Sequence, residues 1–149
     1  MLSKEKTVVF IGHSECFGLD EAALTAAMVR LLQEGFCTFL NGGMGEFDWL
    51  CARCLHKLRS VYPHLRQELI LPYLDFSIRE PAYFDELVFP EALEGVPHKA
   101  AIPRRNDYMV DHAAAALCFV EHSWGGAARS LRRAEKRGLE IFYIGRRIS

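Results

Sequence analysis

The sequence predicts an α/β fold: a doubly wound, mostly parallel sheet flanked by helices, in a single domain. Three observations lead there. Strand-like and helix-like segments alternate along the whole chain. Most of the strand-like segments carry apolar residues on both faces, as a strand covered on both sides must. Three irregular, glycine-bearing turns each follow such a segment. If the sheet is parallel, those turns share the edge at the strands' carboxyl ends, where open α/β sheets bind ligands.

The first strand is Thr7-Val-Val-Phe-Ile-Gly12, followed by the loop His13-Ser14-Glu15-Cys16-Phe17-Gly18. Asp20 is placed as an N-cap for a helix with Leu24, Met28, Leu31 and Leu32 on one face, and Gly35 is placed to end it. Residues 36–40 read as a second strand. The turn Asn41-Gly42-Gly43-Met44-Gly45-Glu46-Phe47-Asp48 then leads into a helix marked by Trp49, Leu50, Ala52, Leu55 and Leu58, which Pro63 is expected to stop. Residues 67–71 form a third strand. From Tyr73 to Pro103 the pattern loosens between prolines, with a short strand at 84–89, and a loop-rich stretch of this length is often functional. A helix is expected to open at Arg104 and Arg105. Residues 115–120 are a strand, Glu121-His122-Ser123-Trp124-Gly125-Gly126 a turn into a helix with Ala127, Leu131 and Ala134, and residues 139–144 the last strand.

Composition narrows the function. The chain has 149 residues, half of them hydrophobic and a quarter charged, with a net charge of −1. That is the profile of one globular domain, without the basic excess of a nucleic-acid or membrane-surface binder. No apolar run is long enough to span a bilayer. The N-terminus lacks a signal-like apolar stretch, so a cytoplasmic protein with five reduced cysteines is expected. Cys51 and Cys54 have redox or zinc spacing but fall within a predicted helix without a second ligand pair. His56, His64, His98 and His112 show no ligand spacing, so no metal site is expected.

The candidate site gathers at the shared edge. Glycines at 42, 43 and 45 let the backbone approach a ligand closely, and a helix N-terminus attracts an anion such as phosphate; the same glycines also serve a tight turn for geometry alone. Gly125, Gly126 and Ala127 repeat the arrangement, or let their helix pack tightly on the sheet. Arg104 and Arg105 suit a phosphate or carboxylate, or a surface salt bridge, and Asn106 either caps locally or contacts a ligand. Glu46 and Asp48 either stabilise the first helical turn or meet a ribose hydroxyl or act as a general base. His13 and His122 are general acid–base candidates or solvated loop residues. Trp124 and Tyr73 either stack on a base or pack on the protein itself. The first turn is not the GxGxxG fingerprint, and there is no Walker A lysine.

Together these segments resemble the SLOG superfamily, which groups the DNA-processing protein DprA with the Lonely Guy phosphoribohydrolases. Gly12-His13-Ser14 is similar to the first-strand turn of small bacterial members. Asn41 through Asp48 is similar to the second glycine turn, and Pro103-Arg104-Arg105-Asn106 to the arginine-asparagine segment of DprA. Ser123-Trp124-Gly125-Gly126-Ala127 falls where DprA has a serine-glycine turn. The resemblance implies a Rossmann-like fold that binds a nucleotide or nucleotide derivative, with no further cofactor, as a sensor; a homodimer is consistent with it. The implied alternative is a nucleotide-cleaving hydrolase using Glu46 or Asp48, although Ala127-Ala128-Arg129-Ser130 lacks the threonine and glutamate of the Lonely Guy motif. A DprA-like single-stranded DNA binder is the third reading, set against the near-neutral charge, which makes nucleic acid an unexpected partner.

Overall fold

A computed structural model describes residues 4–145. Six strands form one sheet: β1 (Thr7–Gly12), β2 (Thr38–Asn41), β3 (Arg66–Ile70), β4 (Glu86–Val88), β5 (Ala115–Phe119) and β6 (Glu140–Tyr143). Their order is β4-β3-β2-β1-β5-β6, and every adjacent pair is parallel. Four helices connect them: α1 (Glu21–Gln33), α2 (Glu46–Leu58), α3 (His98–Asp111) and α4 (Gly125–Lys136).

The strands feed two cores because successive side chains point to opposite faces. Val8, Phe10, Leu117 and Phe119 pack under α1 and α2, through Leu24, Met28, Phe47 and Leu55. Val9, Ile11, Ala116 and Cys118 pack under α3 and α4, through Met109, Val110, Leu131 and Ala134. The chain builds outward from β1 to β4, then returns to β5 on the other side of β1. The order therefore reverses between β1 and β5, and a crevice opens there beyond the carboxyl ends.

Local signals set most boundaries. Asp20 caps α1, its Oδ1 accepting from Ala22 N at 2.9 Å. The second strand starts later than expected, at Thr38, and runs through Asn41. α2 ends at Leu58, ahead of Pro63, with the Arg59 amide donating to the Leu55 carbonyl. Residues 84–89 do contain a strand, β4, on the sheet's outer edge.

One expectation is corrected. Arg104 and Arg105 do not open a helix: α3 begins at His98, and Pro103 lies inside it. Proline at this depth frees the carbonyl four residues back, that of Lys99. Lys99 and Pro103 are both on the exposed side, where water can take that carbonyl. The earlier start places Arg105 in mid-helix, facing the sheet rather than solvent.

Candidate functional site

All three glycine-bearing turns open on the carboxyl edge of the sheet. The main cleft there has a volume of about 600 Å³, and its walls include Gly12, His13, Ser14, Met44, Gly45, Asp48, Arg105, Asn106, Trp124, Gly125, Gly126 and Ala127. The convergence expected from the sequence is thus a geometric fact. Arg104 is exposed and stands outside the cleft, as do Gly42, Gly43, Glu46 and Ser123. The Ser123 carbonyl accepts from Arg132. Tyr73 is elsewhere, stacked on His98 at 3.8 Å.

The glycine turn after β2 is tied into the protein. Asn41 is fully buried; its Oδ1 accepts from Gly43 N at 2.8 Å, and its Nδ2 donates to the Asp48 carbonyl and to Gln67 Oε1. Met44 N donates to Asp48 Oδ2 at 3.2 Å, and Glu46 N to the Ser14 carbonyl at 2.9 Å. The expectation that the amides of this turn stand open for an anion is therefore corrected at Gly43, Met44 and Glu46. The glycines are needed for close approach. A Cβ at Gly45 would lie 2.5 Å from Ser14 Cα, and one at Gly12 would lie 2.1 Å from the Phe47 ring. Gly43 also has φ +66°, where other residues are strained.

Glu46 stitches the first two turns together, its Oε1 accepting from Cys16 N at 2.9 Å. Arg105 does the same between strands. It is 1% exposed, and its Nη1 donates to the carbonyls of Gly42 (2.8 Å) and Ile70 (2.7 Å), at the ends of β2 and β3. Its Nε donates to Asn106 Oδ1. Burial lowers the Arg105 pKa to about 10, against the supporting charge of Asp48. Burial raises Asp48 to about 6, outweighing the Met44 amide and Arg105 that favour its charged form.

The turn after β5 is arranged differently. α4 starts at Gly125, with φ +89°, and has no side-chain cap at its N-terminus. Its first amides lack intrahelical acceptors by geometry. Space is open at Gly126, where a Cβ would meet nothing within 4 Å. Beside this helix end stands a stack of three rings. His13 and His122 lie 3.8 Å apart, and His122 and Trp124 lie 4.0 Å apart with planes 18° from parallel. His122 Nδ1 donates to the Trp124 carbonyl, and Glu121 N donates to His13 Nε2 at 2.7 Å. His13 is held below its ordinary value, chiefly by burial and then by the charge of His122.

The sequence pointed to both histidines but not to their pairing, which joins loops after different strands. It also missed Glu15, Phe17 and Glu121, which reach the cleft. Phe17, Trp124 and Met44 are 80%, 68% and 46% exposed, so three large apolar groups ring the opening. A second cavity of about 470 Å³ adjoins the first, between Ser14, Glu46, Trp49, Arg53 and Arg79. Arg79 lies in the irregular stretch before β4, where no periodicity marks it. Cys51 and Cys54 are both buried in α2. Among the described residues, no group of three or more His, Cys, Asp or Glu side chains is arranged to hold a metal ion, and no helix is long and apolar enough to cross a membrane.

No family model matches the chain. It is similar to an uncharacterised SPbeta prophage-derived protein, YoqJ, of Bacillus subtilis, with 23% identity over 138 aligned positions that cover 79% of this chain and 81% of that one. Its fold is that of DNA processing protein A. It matches the Helicobacter pylori protein, described for its single-stranded DNA binding mode, with a TM-score of 0.65 at 16% identity, over 99% of this chain and 68% of that one. It matches the Streptococcus pneumoniae protein (DprA) with a TM-score of 0.66 at 14% identity, over 97% of this chain and 52% of that one. The chain thus spans about half the length of the Streptococcus pneumoniae protein.

Proposed function

We propose that the main cleft binds a nucleotide, as the nucleotide-binding module of a small SLOG-type protein. One observation carries the reading: an uncapped helix N-terminus and a ring stack meet in a single cleft at the switch point of a parallel sheet. The amides of Gly125–Ala127 receive a phosphate. The outer face of Trp124, at the end of the stack, takes the base. The carboxylates of Glu15, Asp48 and Glu121 are the acidic groups on the lining, suited to accept hydrogen bonds from ribose hydroxyls or base amino groups. Their charge keeps polyphosphate away from the floor of the cleft and leaves the α4 end as the anion position. The phosphate position thus moves from the turn after β2, whose amides at Gly43, Met44 and Glu46 are engaged, to the turn after β5.

The test uses Gly126→Val, where the side chain enters open space. Thymidine 5′-monophosphate should raise the melting temperature of the wild-type protein and leave that of the folded variant unchanged. No shift in the wild type with thymidine or adenosine 5′-monophosphate would sink the reading.

A second reading, binding of single-stranded nucleic acid, is favoured by the fold shared with a DNA-binding protein across nearly the whole chain and by the exposed Phe17, Met44 and Trp124. Bases of any sequence stack on exposed aromatic groups. The net charge of −1 restricts such binding to local contacts.

A further inference from the structure

The second cavity extends the first. The two share Ser14, Met44 and Gly45, so together they form one groove along the carboxyl edge, divided only by that ridge. At its far end the Trp49 indole carries two guanidinium groups, with Arg79 Cζ 3.8 Å and Arg53 Cζ 4.5 Å from the ring centroid. The two arginines differ in what they are committed to. Arg53 is ion-paired with Glu21. Arg79 is exposed, and among the described residues no carboxylate pairs with it. The pocket's carboxylate, Glu46, has one oxygen engaged by the Cys16 amide. A guanidinium held over an indole by cation–π contact is restrained there, and its unpaired N–H groups are free to grip a phosphate oxygen pair.

We infer that this pocket is a second nucleotide subsite, with Arg79 as its phosphate contact, so that the ligand is two nucleotide units joined by a phosphodiester rather than one. The inference rests on the nucleotide reading of the main cleft. A mononucleotide fills the first cavity and leaves Arg79 untouched. A linked pair places one phosphate at the α4 end and the next over the ridge at Arg79, with Met44 beneath the connecting sugar. The same chemistry is offered by a free dinucleotide and by a segment of single strand.

Titration calorimetry of the wild-type chain, Arg79→Ala and Arg79→Lys with thymidine 5′-monophosphate, the dinucleotide pTpT and oligothymidylate tests this. The wild type should bind pTpT about tenfold more tightly than the monophosphate, the gain of one charge-assisted contact. Arg79→Ala should remove that gain with melting temperature and monophosphate affinity unchanged, and Arg79→Lys should restore part of it. Oligothymidylate binding no more tightly than pTpT identifies the free dinucleotide. Tighter binding, with a salt dependence that weakens by about 0.7 in log–log slope in Arg79→Ala, identifies the strand. If the monophosphate binds but pTpT gains nothing, or Arg79→Ala weakens both alike, the second subsite is overturned and the main cleft stands. If no probe binds the wild type, both readings fall.

Discussion

His13 and His122 lie ring on ring, with centroids 3.8 Å apart and planes 14° from parallel. One follows β1 and the other follows β5, so the stack bridges the two loops that flank the crevice where the strand order reverses. Two rings this close cannot both take a proton without repulsion, and His13 Nε2 already accepts from Glu121 N.

That arrangement fixes how the stack responds to acid. His13 is lowered from 6.5 by burial and by His122. The unfolded chain therefore binds this proton first as pH falls, and the folded state loses stability between 6.5 and the lower folded value. An NMR titration should show the His13 ring titrating below 6.5, with the Glu121 amide resonance shifting alongside as its acceptor is protonated. A His13 midpoint at or above 6.5 would contradict the geometry.

Asp48 carries the opposite sign. Its pKa is raised from 3.8 to about 6. Between those values the unfolded chain releases the proton and the folded chain keeps it, so this group's contribution is present at low pH and is lost as pH rises through about 6. Asp48→Asn keeps an oxygen for the Met44 amide without the buried charge. Urea denaturation should find the variant equal to wild type near the acid end of the window and about 1–2 kcal/mol more stable above it, less than the full shift implies because the carboxylate is partly solvated and supports Arg105.

Arg105 is a structural clamp as much as a wall of the cleft. Arg105→Ala removes the donor to two strand-end carbonyls and leaves both buried. The expected loss is roughly 2–5 kcal/mol, read from chemical denaturation. Arg104→Ala, at the neighbouring position but on the exposed side of the same helix, should change stability by less than about 0.5 kcal/mol.

The glycines separate packing from opening. Gly12→Ala and Gly45→Ala drive a methyl group into the Phe47 ring and the Ser14 backbone. Each should lower stability by about 1–3 kcal/mol or more. Gly126→Ala meets no neighbour within 4 Å and removes a flexible residue from a helix. It should be neutral or stabilising by up to about 1 kcal/mol, and thermal melts of the three variants check the contrast.

How far the sequence reached follows from the range of each signal. The largely apolar segments at residues 7–12 and 115–120 announced central strands, and Asp20 announced the start of a helix, because these signals are written in neighbouring residues. Pro103 misled because proline usually marks a boundary, and its tolerance here depends on the exposed face it occupies. Arg79 was silent because it sits in an irregular stretch and acquires its role only by lying on Trp49.

By itself the sequence determined the layered parallel sheet, the positions of the turns and their common edge, since hydrophobic periodicity and helix punctuation are local and additive. Only the tertiary structure decided which amides remain open and which charges are buried. The donor to His13 comes from a residue 108 positions away, and the Arg105 acceptors from residues 63 and 35 positions away. Hydrogen-bond satisfaction in a buried edge is set by which turns the sheet brings together, and no window of neighbouring residues contains that information.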